Sequence, residues 1–228
     1  MLENMPKELK TWAYVLRRTN YGEADRILNL ITPVGKISAI AKGVRKPRSK
    51  LAGGVEMFSL SEVNLHFGKS EMAVVTGARM VRFYTEILKD LTRMEMAVEI
   101  LKKINKAAEG VDASGFFEIT DKCLFMLNDG CDIGLVEAWF MINLAKVMGE
   151  EINLYLDSDG DKLEVELKYS WDAHEKVLVK NDSGEVDANM IKILRMMVSA
   201  DFEVVRRVIG VETYVPEILK ITRTFGII

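Results

Sequence analysis

Trp12-Ala-Tyr-Val-Leu-Arg-Arg18, the punctuation Asn20-Tyr-Gly22, and Arg26-Ile-Leu-Asn-Leu-Ile-Thr32 decide the fold class. The β-branched and aromatic content of both runs favours extended backbone, and Pro33 and Gly35 stop the second, so the stretch reads as two strands and a turn. Working outward, Lys36-Ile-Ser-Ala-Ile-Ala-Lys42 alternates until Gly43, Val63-Asn-Leu-His-Phe67 alternates again, and Gly68-Lys-Ser turns into Met72-Ala-Val-Val-Thr76. Five strands in about 70 residues with short turns predict a small closed barrel, for which the OB-fold is the five-stranded candidate.

From Val81 the apolar period becomes helical. Leu91, Met94, Val98, Leu101 and Ala108 share one predicted face, and Phe116, Ile119, Cys123, Met126 and Leu127 another. Leu135 to Met148 is apolar on nearly all sides, which predicts the central helix of a bundle ended by Gly149. Leu163, Val165, Leu167 and Tyr169 alternate with charged residues and have a mate in Val177-Leu-Val179, predicting a hairpin with one dry face. Helical spacing resumes through Met190, Ile193, Leu194 and Met197, then Phe202, Val205 and Ile209, then Val215, Ile218 and Leu219. The expected class is α+β in two domains: a five-stranded OB-type barrel over residues 1–80 and a helical domain over 81–228 with an inserted hairpin.

Composition narrows the function. The chain has 228 residues, 49% of them hydrophobic, which is too apolar for a disordered protein. Acids and a proline stand near the start where a secretory signal would be apolar, no run approaches a membrane span, and only Cys123 and Cys131 are present, so a cytoplasmic protein without disulfides is expected. The net charge of −3 conceals a split: residues 1–80 hold 13 Lys/Arg against 7 Asp/Glu, and residues 81–228 hold 18 against 27. No acid occurs between Arg26 and Val55, while Lys36, Lys42, Arg45, Lys46, Arg48 and Lys50 fall within fifteen residues. Such a block faces a polyanion or simply water.

Chemistry-bearing motifs are weak. Gly68-Lys69-Ser70 lacks the glycine a P-loop requires five residues before Gly68 and precedes a strand rather than a helix. Asp157-Ser-Asp159-Gly-Asp161 begins like a calcium loop, but Lys162 and Lys168 stand where glycine and glutamate belong. His66 and His174 are far apart and read as ordinary surface or turn residues, and no Ser/His/Asp, Cys/His or zinc-type spacing exists. No catalytic residue, metal ligand or cofactor site is therefore expected.

The basic block differs because it lies on a small barrel. Cations that track phosphates, with Tyr14, Tyr21, Phe58 and Phe67 nearby in sequence as candidate stacking platforms, match the general design for single strands.

Ala13-Tyr-Val-Leu-Arg-Arg18, Tyr21-Gly22-Glu23-Ala-Asp25-Arg26 and the run from Leu30 through Gly35-Lys36 and Lys42-Gly43-Val-Arg45-Lys46-Pro-Arg48-Ser49-Lys50 together resemble the N-terminal domain of the RecO family of bacterial recombination mediators. The likeness is clear over about residues 10–90 and rests on layout beyond them. It implies a non-enzymatic, nucleoid-associated protein that binds single- and double-stranded DNA and anneals complementary strands. It further implies work with RecR to load RecA onto strands coated by single-strand-binding protein (SSB), whose C-terminal tail docks on the helical domain. Many members carry a four-cysteine zinc motif in the insertion, whereas the matching region, about residues 154–189, has no cysteine. Alternate burial in the hairpin is expected to replace the metal. Glu23 and Asp25 are candidates for a structural turn first and a RecR contact second, and Lys102, Lys103, Arg206 and Arg207 for meeting an acidic tail, against the simpler reading of solvated faces. The competing readings are an RNA- or ribosome-associated OB protein and a protein–protein scaffold.

Overall fold

The computed structural model describes residues 6–109, 114–199 and 202–226. Five strands, β1 (Glu8–Tyr21), β2 (Asp25–Thr32), β3 (Gly35–Ala41), β4 (Ser59–His66) and β5 (Ala73–Phe83), close into a barrel in the order β1-β2-β3-β5-β4. β3 and β5 pair in parallel, Ala39 with Ala73, and the remaining ladders are antiparallel. This is the five-stranded OB-type barrel that the alternation predicts. β1 and β5 run longer than their patterns suggest, because bulges between Val15 and Arg17, Leu60 and Ser61, and Asn64 and Leu65 interrupt the period without ending the strand. Asn20, expected in the turn, therefore pairs with Arg26.

Ala13, Val15, Leu28, Leu30, Ile37, Ala39, Val63, Leu65 and Val75 fill the barrel. Four consecutive buried residues, Ala13 to Leu16, mark a strand covered on both faces. The outer cover comes from α1 (Leu91–Ala107) and α2 (Ser114–Asn128). Tyr14, from β1, reaches the hydroxyl of Tyr84 (2.9 Å) and Oδ1 of Asp121 on α2 (2.5 Å). The Asp90 carboxylate caps α1 by accepting the amides of Thr92 and Arg93. The buried stripe of α1 is Ala97, Ile100, Leu101, Ile104 and Ala107; Leu91, expected in it, is 65% exposed because it stands in the solvated first turn. The contacts divide the chain at Asp129/Gly130, so α1 and α2 belong with the barrel, whereas the change of period at Val81 suggests a boundary at 80/81.

The second unit is built on α3 (Ile133–Val147), buried nearly all round as expected, with Trp139 edge-on to Phe202. Before α4 (Ala188–Ser199), β6 (Tyr169–Asp172) and β7 (Val177–Lys180) form a short hairpin, and α5 (Phe202–Val205) and α6 (Val215–Thr222) follow. Arg223 donates twice to Glu137, at 3.0 and 2.9 Å, joining the end of α6 to α3. Ile209, expected in a helical face, lies beyond α5 and is fully exposed.

The hairpin begins later than the alternating run from Lys162. Val165 is 65% exposed in a turn, so the run has no continuous dry face. Order comes instead from polar closure. The buried Asp157 carboxylate accepts the Asp159 and Asp161 amides at 3.0 Å each and meets Lys180 Nζ at 3.1 Å. Burial opposes its charge, but Lys180 and the two amides outweigh it and hold this carboxyl below the usual range. Zinc does not fit the segment: it has no cysteine, His174 is exposed beside Glu175, and its one buried carboxylate is committed to Lys180.

Candidate nucleic-acid interface

The cationic segment is the connection from β3 to β4, and its apolar residues hold it in place. Val44 and Val55 are buried in the barrel core, with Leu51, Ala52 and Met57 packed partly against it. Gly54 sits so close to the Ala78 backbone of β5 that a Cβ would collide with it. Gly43 takes a positive φ of +64°, and the chain turns through Lys46 N–H to Gly43 carbonyl and Ser49 N–H to Lys46 carbonyl bonds of 3.1 and 3.0 Å. With the valines turned inward, Lys42, Arg45, Lys46, Arg48 and Lys50 are all exposed.

A second set of bonds fixes the loop to the β1–β2 turn. Asp25 Oδ1 accepts the Gly43 amide at 2.7 Å, the Ala24 carbonyl accepts the Arg45 amide at 2.9 Å, and the Glu23 carbonyl accepts the Arg45 guanidinium at 2.7 Å. Gly22 takes a positive φ, +52°, at the head of that turn. The Asp25 carboxylate thus ties the turn to the start of the basic loop. Glu23 uses its backbone, and its side chain is exposed. Among the described residues no carboxylate pairs with Lys42, Arg45, Lys46, Arg48 or Lys50, so their charge faces solvent.

Three members of the expected set are placed elsewhere. Lys36 is largely covered and donates to the Asn105 carbonyl (2.6 Å) and Glu109 (3.1 Å), because α1 ends over this part of β3. Tyr14 is 1% exposed in its network with Tyr84 and Asp121, which burial and the Asp121 hydrogen bond maintain by pushing its phenol pKa far up. Phe58, at a positive φ of 57°, is 7% exposed. Neither ring can stack on a base without leaving the core. Tyr21 is 54% exposed at the loop end of β1, and Phe67 is half-buried against the barrel core. Lys102 pairs with Glu99 (2.7 Å), Lys103 is half-buried, Arg206 reaches Glu203 (3.1 Å) and the Cys131 sulfur (3.4 Å), and Arg207 is exposed beside Glu203.

The sequence reading missed three arginines of the barrel end. Arg17 is exposed, and Arg18 and Arg26 both approach Glu56. Their signal is the pairing of β1 with β2, which becomes readable only once the bulge after Val15 is known. Cys123 is buried in α2, and burial pushes its thiol pKa up, leaving it a poor nucleophile. Among the described residues no helix is long and apolar enough to cross a membrane.

Comparison with known proteins gives consistent results. Residues 5–84 match the family model for the recombination protein O N terminal. The chain is similar to the DNA repair protein RecO of Dehalococcoides mccartyi strain CBDB1, 30% identical over 210 residues, covering 89% of this chain and 83% of the relative. It is 35% identical to the DNA repair protein RecO of strain 195 of that species over 146 residues, 63% of this chain and 57% of the relative. The similarity to the DNA repair protein RecO of Acetivibrio thermocellus is 34% over 145 residues, 62% of this chain and 57% of the relative. The chain thus aligns with little more than half the length of two of these three relatives.

Proposed function

Because the chain belongs to the RecO family, we propose that it is a DNA repair and recombination mediator that binds DNA through the β3–β4 loop of its barrel. The observation that carries this reading is the set of five exposed cations, none paired with a carboxylate among the described residues, on a loop anchored by Val44 and Val55 and tied to Asp25 and Glu23. Bringing two strands together requires their phosphate repulsion to be screened, and no bond is made or broken, so the activity needs binding groups rather than a catalytic residue. Annealing of complementary strands, assembly with RecR and loading of RecA onto SSB-coated DNA form the fuller proposal. An SSB tail is acidic and suits a basic surface, for which Arg207 is an exposed candidate on the second unit. The exposed Glu23 side chain is a candidate RecR contact. The fold is proposed to work without zinc, the Asp157–Lys180 pair closing the insertion.

The test is fluorescence anisotropy of a labelled single strand across a salt series, comparing the native chain with one carrying Lys42→Glu, Arg45→Glu, Lys46→Glu and Arg48→Glu. Five phosphate contacts give a log–log salt slope of about −3.5 at roughly −0.7 per contact. Loss of binding in the variant, with complementary strands annealing faster on the native protein, is the expected result. Preference for structured RNA without annealing would favour the ribosome-associated reading, and no affinity near physiological salt the scaffold.

A further inference from the structure

Between β1 and α1 the barrel unit carries a groove of about 390 Å³, at the lower end of the range of about 300–1,000 Å³ for small-molecule sites. Leu16, Met57 and Val98 give it an apolar floor, and Arg17, Arg18 and Lys102 a cationic rim. Leu16 is the extra residue of the β1 bulge, and that insertion sets the directions of the two arginines following it. We propose that this groove lodges an unstacked base of a single DNA strand, the neighbouring phosphates lying on Arg17, Arg18 and Lys102. The inference rests on the DNA-binding reading above and adds the course of the strand.

Three observations support a nucleic-acid occupant. The first is charge: Arg17 has no carboxylate partner among the described residues, and Arg18 and Lys102 are held only by the surface carboxylates Glu56 and Glu99. Exposed ion pairs of that kind are weak and yield to a phosphate, which binds arginine by a charge-assisted fork. The second is a polar group in the lining that suits a base edge. Asn105 lines the groove, and its Oδ1 is occupied by the Asn29 amide at 2.8 Å, which leaves the Asn105 Nδ2 hydrogens as donors. A base edge offers acceptors to such a donor; an aliphatic side chain does not. The third is continuity. From Arg17 to Tyr21 is four residues, about 13 Å of strand at roughly 3.3 Å per residue. Tyr21 is exposed there, and the turn beyond it is bonded directly to Arg45. Loop, Tyr21 and groove therefore follow one another along β1.

The experiment uses the full chain and an oligonucleotide carrying a single 2-aminopurine, with binding measured by anisotropy over a salt series. Arg17→Ala combined with Lys102→Ala removes two exposed rim cations and leaves the floor intact. The expected result is a salt slope shallower by about 1.4, from roughly 0.7 per contact, and loss of the fluorescence rise that accompanies unstacking. Val98→Ala, which leaves the cations in place, is expected to reduce the fluorescence rise with little change of slope. If the double variant keeps the native slope and the native rise while the loop variant loses affinity, the groove lies off the strand and the proposal fails, with the DNA-binding reading standing. If the native chain does not bind the strand, both fail together. If the double variant binds DNA normally but loses an acidic peptide that the native chain binds, the groove belongs to a protein partner and the proposal is overturned.

Discussion

Tyr14→Phe deletes one hydroxyl and nothing else, yet that hydroxyl links β1, the end of β5 and α2. It bonds Asp121 at 2.5 Å and Tyr84 at 2.9 Å, and Arg82 donates to the same Tyr84 oxygen at 3.1 Å. A bond to a charged partner contributes about 1.5–3 kcal/mol and a neutral one about 0.5–1.5 kcal/mol. Asp121 is 38% exposed, so water replaces part of its loss, and the expected destabilisation is about 1–3 kcal/mol near neutral pH. For a chain of this size that lowers Tm by about 2–12 °C. The pH dependence makes the test specific. Burial, then the Asp121 hydrogen bond, raise the Tyr14 pKa well above its ordinary value near 10. Folding stability from this group is complete below pH 10 and falls as pH rises, because the unfolded phenol ionises while the folded one stays protonated. The slope of the loss rises through pH 10 and approaches about 1.4 kcal/mol per pH unit above it. Phenylalanine has no such cost, so the stabilities of the native and Tyr14→Phe chains should converge by about 1 kcal/mol between pH 10 and 11, and by about 1.4 kcal/mol between pH 8 and 11. Urea denaturation followed by circular dichroism at pH 8, 10 and 11 measures this. Parallel stability curves for the two proteins across that range would refute the reasoning.

Other expectations are as specific. Asp25→Ala removes the carboxylate that accepts the Gly43 amide and should weaken single-strand binding several-fold without unfolding the barrel, as read by anisotropy and circular dichroism. If RecR binding is lost while DNA binding and folding are kept, Asp25 serves an interface instead. Lys36→Ala should leave the salt slope unchanged, whereas Arg48→Ala should make it shallower by about 0.7. The depressed Asp157 pKa means that its contribution is complete above about pH 4 and is lost as pH falls below that. The Asp159 and Asp161 amide resonances should move in acid, and in Asp157→Asn they should be far less acid-sensitive. Gly54→Ala should destabilise the barrel by at least about 1–3 kcal/mol through overpacking against Ala78, measurable by urea denaturation.

The readable parts of this sequence are those where one local force dominates. Strand-type composition, alternation and turn residues together locate all five barrel strands, each of which feeds a single apolar core, and the all-round apolarity of Leu135 to Met148 identifies α3 as a buried centre. The basic block keeps five of its six cations at the surface for an equally local reason: the residues interleaved with them, Val44 among them, are those the barrel can bury. The failures need tertiary information. Tyr14 looks like an outward aromatic on a strand, and only the arrival of α2 makes it a core residue. Lys36 is set apart from its neighbours by the end of α1, more than sixty residues away in sequence. The run from Lys162 to Lys168 alternates without being a strand, because the ordering force there is the Asp157 carboxylate and not a dry face.

If the anchored loop binds DNA as proposed, it also bears on the kinetics of encounter. A flexible cationic segment must be ordered when it meets a strand, and that ordering costs affinity on each binding event. Here much of the ordering is completed during folding, by two buried valines and by bonds to the neighbouring turn. The charge is then displayed in a fixed pattern before any polyanion arrives, which favours association rates set by electrostatic steering and therefore steeply dependent on ionic strength. Under the proposed function, two strands captured on such a surface would keep their own freedom to search for register, since the protein side of the contact has little left to order.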